Sequence, residues 1–132
     1  MAEPKKRRAR RGEALPEPTA LVLRGELLDP EELRITAERN FEVYGYFGIS
    51  VFAEVGDATF ASIAATKLAR APWIAVFSTE DLLAAGLELW DTGQTPHYDV
   101  VHAALTELLD RFLETPHRIV RNEHYESPDG GG

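Results

Sequence analysis

The sequence contains no cysteine. Disulfides, thiolate metal ligands and cysteine nucleophiles are therefore excluded. No apolar run approaches the roughly 18–20 residues of a membrane-spanning helix, so no membrane role is expected. The opening residues hold no apolar stretch of the signal-peptide kind, and a cytoplasmic location is expected. G-x-G-x-x-G, the Walker A pattern and G-x-S-x-G are also missing, which removes the main support for Rossmann, P-loop and nucleophile-elbow readings. No motif asks for a cofactor. Lysine is scarce, three against eleven arginines, and alanine is abundant. GC-rich codons produce that usage, so a bacterial source is expected.

What is present is divided unevenly. Residues 1–14 carry six basic and two acidic side chains, a charge of +4. The rest carries eight basic and twenty acidic side chains, −12, within a total of −8. An acidic body repels phosphate backbones over any extended surface, so nucleic acid is expected only through the basic arm, if at all. Short blocks of like charge are usually disordered, and residues 1–18, ending in Pro16 and Pro18, read as a disordered basic arm. At 132 residues and 44% hydrophobic content, the remainder fits one domain with one core.

Residues 19–121 read as that domain. Leu21-Val22-Leu23 suggests a first strand. Asp29 and Pro30 open a helix, with Glu32 at capping-box spacing and Leu33, Ala37, Phe41 and Tyr44 on one stripe. Gly45 ends it. Gly48 to Ala53 is a second strand, apolar enough for burial on both faces. Gly56-Asp57 opens a helix with Phe60, Ile63, Ala64 and Leu68 inward, closed by Pro72. Trp73 to Phe77 is a third strand, and Ser78 caps a short helix that stops at Gly86. Leu87 to Trp90, a turn over 91–96 and His97 to Val101 make a hairpin. A helix with Leu105, Leu108, Leu109 and Phe112 inward and a short strand over 117–120 follow. Residues 122–132 read as a disordered tail. The alternation implies an α/β or mixed α+β fold, with helices packed on a mixed sheet.

The four histidines fall between 97 and 124, and His97, Asp99 and His102 form H-x-D-x-x-H. Imidazole and carboxylate together can do general acid/base work or contribute to a metal site, although the spacing is not a zinc signature. If a strand runs straight into the next helix, His97 and Asp99 share one side. If the helix starts earlier, Asp99 is its cap and His102 lies in the first turn. The bland alternative is an edge histidine and a capping aspartate. Arg24 at a strand end can grip a phosphate or carboxylate. Ser50, inside an apolar strand, needs a hydrogen-bond partner or faces a ligand. Tyr44 and Tyr46 flank Gly45 and can stack a planar ring, or simply pack the helix-to-strand connection.

The order Arg24, Ser50, Glu88 along successive strands resembles the Arg–Ser–Glu arrangement of ADP-ribosyltransferases. The resemblance implies that Arg24 and Ser50 help to bind NAD and that Glu88 assists the transfer. It covers three residues, Ser50 lacks that family's Ser-Thr-Ser context, and no family is assigned.

Two functions follow. The first is a binding or regulatory module acting through a protein partner, one half of a toxin–antitoxin-like pair. The second is a small effector enzyme acting on a nucleotide or RNA through His97, Asp99 and His102, with Arg24 as phosphate anchor.

Overall fold

The computed structural model describes residues 10–11, 15–25 and 28–126. Most of the expected arm (1–9 and 12–14) and the end of the expected tail (127–132) lie outside the described residues. The elements run β1 (Arg10–Arg11), β2 (Leu21–Gly25), α1 (Pro30–Tyr44), β3 (Gly48–Ala53), α2 (Phe60–Thr66), β4 (Trp73–Ser78), α3 (Thr79–Ala84), β5 (Glu88–Gln94), β6 (His97–Val101), α4 (Leu105–Glu114) and β7 (Arg118–Arg121). Among the described residues, seven strands form one sheet in the order β1-β5-β6-β3-β2-β4-β7.

Every pairing in it is antiparallel. Of the two expected classes the chain is therefore α+β, and the sheet is antiparallel where a mixed one was expected. Strand–helix alternation cannot separate a crossover from an antiparallel return, because tertiary packing sets the direction of re-entry.

Local chemistry accounts for most element ends. The Asp29 side chain accepts the Glu31 amide, and Pro30 occupies the first turn of α1. Glu32 does not close the expected capping box; its carboxylate turns to Arg24. Phe41 lies off the buried stripe of Leu33, Ala37 and Asn40 and is 48% exposed, stacked on Phe47. α2 starts at Phe60, later than Gly56-Asp57 suggested, because Thr59 and Ser62 form a reciprocal capping box.

Residues 91–94 continue β5 rather than forming a turn. Gly93 takes φ 78° where the β5–β6 register shifts between Asp91 and Gln94. A bulge of this kind suits glycine. The connection shrinks to Thr95 and Pro96, joined by a cis peptide.

Hydrogen bonds also tie described residues on either side of 19–121 to the sheet and helices. Arg10–Arg11 pairs with Trp90 and Asp91, and the Glu80 amide bonds to the Pro18 carbonyl at 3.0 Å. Buried Asn122 donates to the carbonyls of Leu68 and Ala71 at 2.8 and 3.0 Å. The Glu126 amide reaches the Ala69 carbonyl at 2.7 Å. These bonds satisfy carbonyls just past the end of α2, which sequence composition does not report.

One sheet face carries the main core. Val22, Ile49, Val51, Ala75, Phe77, Leu89 and Val100 pack against Leu33 and Ala37 of α1, Leu82 of α3 and Leu108 and Phe112 of α4. The other face is divided. Leu23, Ile74 and Val76 pack with Ile63, Ala64 and Leu68 at α2. Beside them, across β3, β6 and β5, the polar side chains of Ser50, His97 and Asp99 stand among Phe52 and Trp90. Among the described residues no helix is long and apolar enough to cross a membrane.

Candidate functional site

Antiparallel register builds the polar half. Ser50 on β3 stands opposite Asp99 on β6, and Asp99 opposite Trp90 on β5. Phe52 stands opposite His97. Directly opposed residues share a face, so Ser50, Phe52, His97, Asp99 and Trp90 project together. The strand runs past Asp99 to Val101, which settles the boundary left open by sequence: Asp99 lies inside a strand and is not a helix cap.

Asp99 is 0% exposed. Its Oδ2 accepts the Tyr46 hydroxyl at 2.6 Å, and its Oδ1 lies 3.8 Å from His97 Nε2. A buried carboxylate requires such partners, because desolvation penalises its charge. Tyr46 reaches it by lying over Gly48, where an added Cβ would come within 2.9 Å of the Tyr46 ring. Only glycine admits that approach. The Tyr46 ring also packs 4.8 Å from Trp90, and Tyr44 lies 6.1 Å from Tyr46. Tyr46 is thus buried and hydrogen-bonded rather than an open platform for a planar ligand.

His97 is held at both ring nitrogens. Nε2 contacts the Ser50 hydroxyl. Nδ1 lies 2.8 Å from Thr92 Oγ1, which also donates to the His97 carbonyl at 2.9 Å. Phe52 stands edge-on to the ring, with centroids 5.4 Å apart. Thr92 was missed by sequence because it lay in the supposed turn; the bulge turns it inward.

His102 does not join this group. Its Nδ1 accepts the Ala104 amide at 3.0 Å, just before α4. Tyr98, on the opposite face of β6, has its hydroxyl pKa pushed up by burial and by the nearby Asp91 carboxylate. Among the described residues, no three histidine, aspartate or glutamate side chains converge where a metal ion would sit.

Arg24 marks where the sheet opens. β2 pairs with β3 at Val22–Ala53 and Leu23–Phe52, but Arg24 and Gly25 continue only with β4, at Ala75 and Ile74. The Arg24 guanidinium fills the gap. Its Nη1 donates to the Ser50 carbonyl at 2.7 Å, and its Nη2 meets both Glu32 oxygens at 2.9 and 3.0 Å. Its side chain is only 12% exposed.

Beside this clasp lies a cleft of about 260 Å³ lined by Arg24, Glu32, Ser50, Phe52, Lys67 and Arg70, among others. Lys67 and Arg70 form no ion pair among the described residues. Sequence reading missed both. They follow α2 as ordinary surface cations, and only the fold sets them along the same cleft as Ser50. Of the expected site, then, Ser50, His97 and Asp99 are brought together, with Tyr46 attached through Asp99 and Arg24 joined only through the Ser50 carbonyl. Glu88 accepts the Trp90 indole N–H at 2.9 Å, and β6 separates its strand from that of Ser50. The Arg–Ser–Glu set is therefore not assembled. No protein-family model, no curated protein and no solved structure matches the chain.

Proposed function

We propose that the chain is a small binding module for an anionic ligand, seated in the cleft where β2 and β3 part. One observation carries this reading. Arg24, Lys67 and Arg70 line a single cleft, although the chain beyond residue 14 has twenty acidic side chains against eight basic ones. Glu32 offsets one of these three charges, and a concave site that keeps an excess of one sign concentrates the opposite sign. Pockets for drug-sized ligands enclose roughly 300–1,000 Å³, and this cleft encloses about 260 Å³. The ligand is therefore a phosphate or carboxylate of small size, and a nucleotide would enter by its phosphate end alone. Calorimetric titration with pyrophosphate tests the reading. Saturable binding is expected, weakened at least about tenfold (about 1.4 kcal/mol) by Lys67→Glu with Arg70→Glu, and weakened by salt. Binding that the double variant leaves unchanged would overturn it.

A protein partner with a basic segment is the second reading. The groove between α3 and α4, about 640 Å³, favours it: Asp81, Glu107, Asp110 and Glu114 line it, and its Arg111 is engaged by Glu107 and the Ala85 carbonyl. With such a partner the chain would act in the bacterial cytoplasm as one half of a toxin–antitoxin-like pair. A labelled oligo-arginine peptide should bind in a salt-sensitive way and lose affinity to Asp110→Lys with Glu114→Lys. Equal binding by that variant would remove the groove from the reading.

A further inference from the structure

We propose that Ser50 is a nucleophile activated by His97, and that it attacks the acyl carbon of a small carboxylic ester bearing an anionic group. The proposal rests on the cleft being an anion site and adds chemistry to it.

The hydrogen bonds around His97 decide its tautomer. A threonine hydroxyl has one proton. Thr92 donates it to the His97 carbonyl, which can only accept. Toward the ring, Thr92 Oγ1 must then accept, so Nδ1 carries the hydrogen. In the neutral ring Nε2 is left as the acceptor, and the Ser50 hydroxyl donates to it. A general base needs this tautomer, with a third group orienting the base. Thr92 is that group. Asp99 lies on the Ser50 side of the ring, 3.8 Å from Nε2, where its charge opposes that of the imidazolium formed during proton transfer. Ser50 is half-buried and lines the cationic cleft. Lys67 and Arg70 line the same cleft and would anchor the anionic end of the ester.

The Ser50 Oγ lone pair bonds to the acyl carbon while its proton passes to His97 Nε2. The carbon–oxygen bond of the ester breaks, and the alcohol oxygen leaves with that proton. Water then adds to the acyl carbon and gives a proton to Nε2. The Oγ–carbon bond breaks, Oγ regains the proton, and the carboxylic acid departs. Ester and water become acid and alcohol.

The test uses the full chain with mono-p-nitrophenyl succinate, an activated ester with a free carboxylate. A succinyl adduct mapping to Ser50 by peptide mass spectrometry is expected, with p-nitrophenolate release about 100-fold lower in Ser50→Ala. Ser50→Cys, which keeps a nucleophile of similar size, should form a thioester. Nitrogen-15 spectra of the wild type should show His97 protonated at Nδ1, and Thr92→Val should lose that preference. No Ser50 adduct on the wild type, equal release by Ser50→Ala, or a neutral ring protonated at Nε2 overturns the proposal. If pyrophosphate still binds, the anion site stands without the chemistry; if it does not, both readings fall.

Discussion

On the sheet face under α2, Leu23, Ile74 and Val76 meet Ile63, Ala64 and Leu68 in an apolar cluster. On the same face one strand further on, Ser50, Thr92, His97 and Asp99 lie beside Tyr46 and Trp90. Both halves rest on the same sheet, but different physics holds them. The first depends on area and fit, which are non-directional. The second depends on directed bonds, each of which fixes an orientation. Burying a hydrogen-bonded ionisable group is at best a weak source of stability, and an apolar replacement of similar volume is often neutral or stabilising. The polar half is thus organised for position, and the apolar half beside it holds the frame.

Truncation should separate the halves. Leu23→Ala removes a fully buried side chain and is expected to cost about 2–5 kcal/mol in urea unfolding. Tyr46→Phe removes only the hydroxyl that meets Asp99 at 2.6 Å. About 1–3 kcal/mol is expected. A Tyr46→Phe loss equal to that of Leu23→Ala would mean that the polar half carries as much of the fold as the apolar one, and the division of roles would fail.

The same division explains what was legible in the sequence. Strands and helices followed from apolar spacing and from caps such as Asp29 and Ser78, which are local signals. Ser50, His97 and Asp99 were visible as polar residues in apolar strands. Their meeting was not, because it depends on the register that sets Ser50 opposite Asp99 and Phe52 opposite His97. Thr92 was hidden by a bulge that composition reads as a turn. His102 shares the motif with His97 in sequence, but the strand has ended by that point and its ring serves the backbone before α4. Lys67 and Arg70 have no local mark at all. The antiparallel pairing of β5 and β6 was legible as a hairpin, but the direction of the strands joined through helices was hidden, since nothing in a helix's own sequence states on which side of the sheet its successor enters.

Arg24 stands where the two halves meet, and its partner offers the smallest but most discriminating change. Glu32 holds the guanidinium through both oxygens, yet its own side chain is 46% exposed. An ion pair with one partner in water contributes about 0–1 kcal/mol, so Glu32→Gln should move the unfolding midpoint little. Its effect on the cleft should have the opposite sign. Removing the carboxylate deletes the one negative charge among the cleft-lining residues named above and frees Arg24 Nη2 for an incoming anion, while the bond from Nη1 to the Ser50 carbonyl still bridges the gap between β2 and β3. Pyrophosphate affinity should rise several-fold, on the order of 1 kcal/mol, with stability nearly unchanged. If Glu32→Gln instead weakens anion binding, Arg24 is a brace that Glu32 must hold in place. The cleft would then belong to the frame and not to the half organised for position.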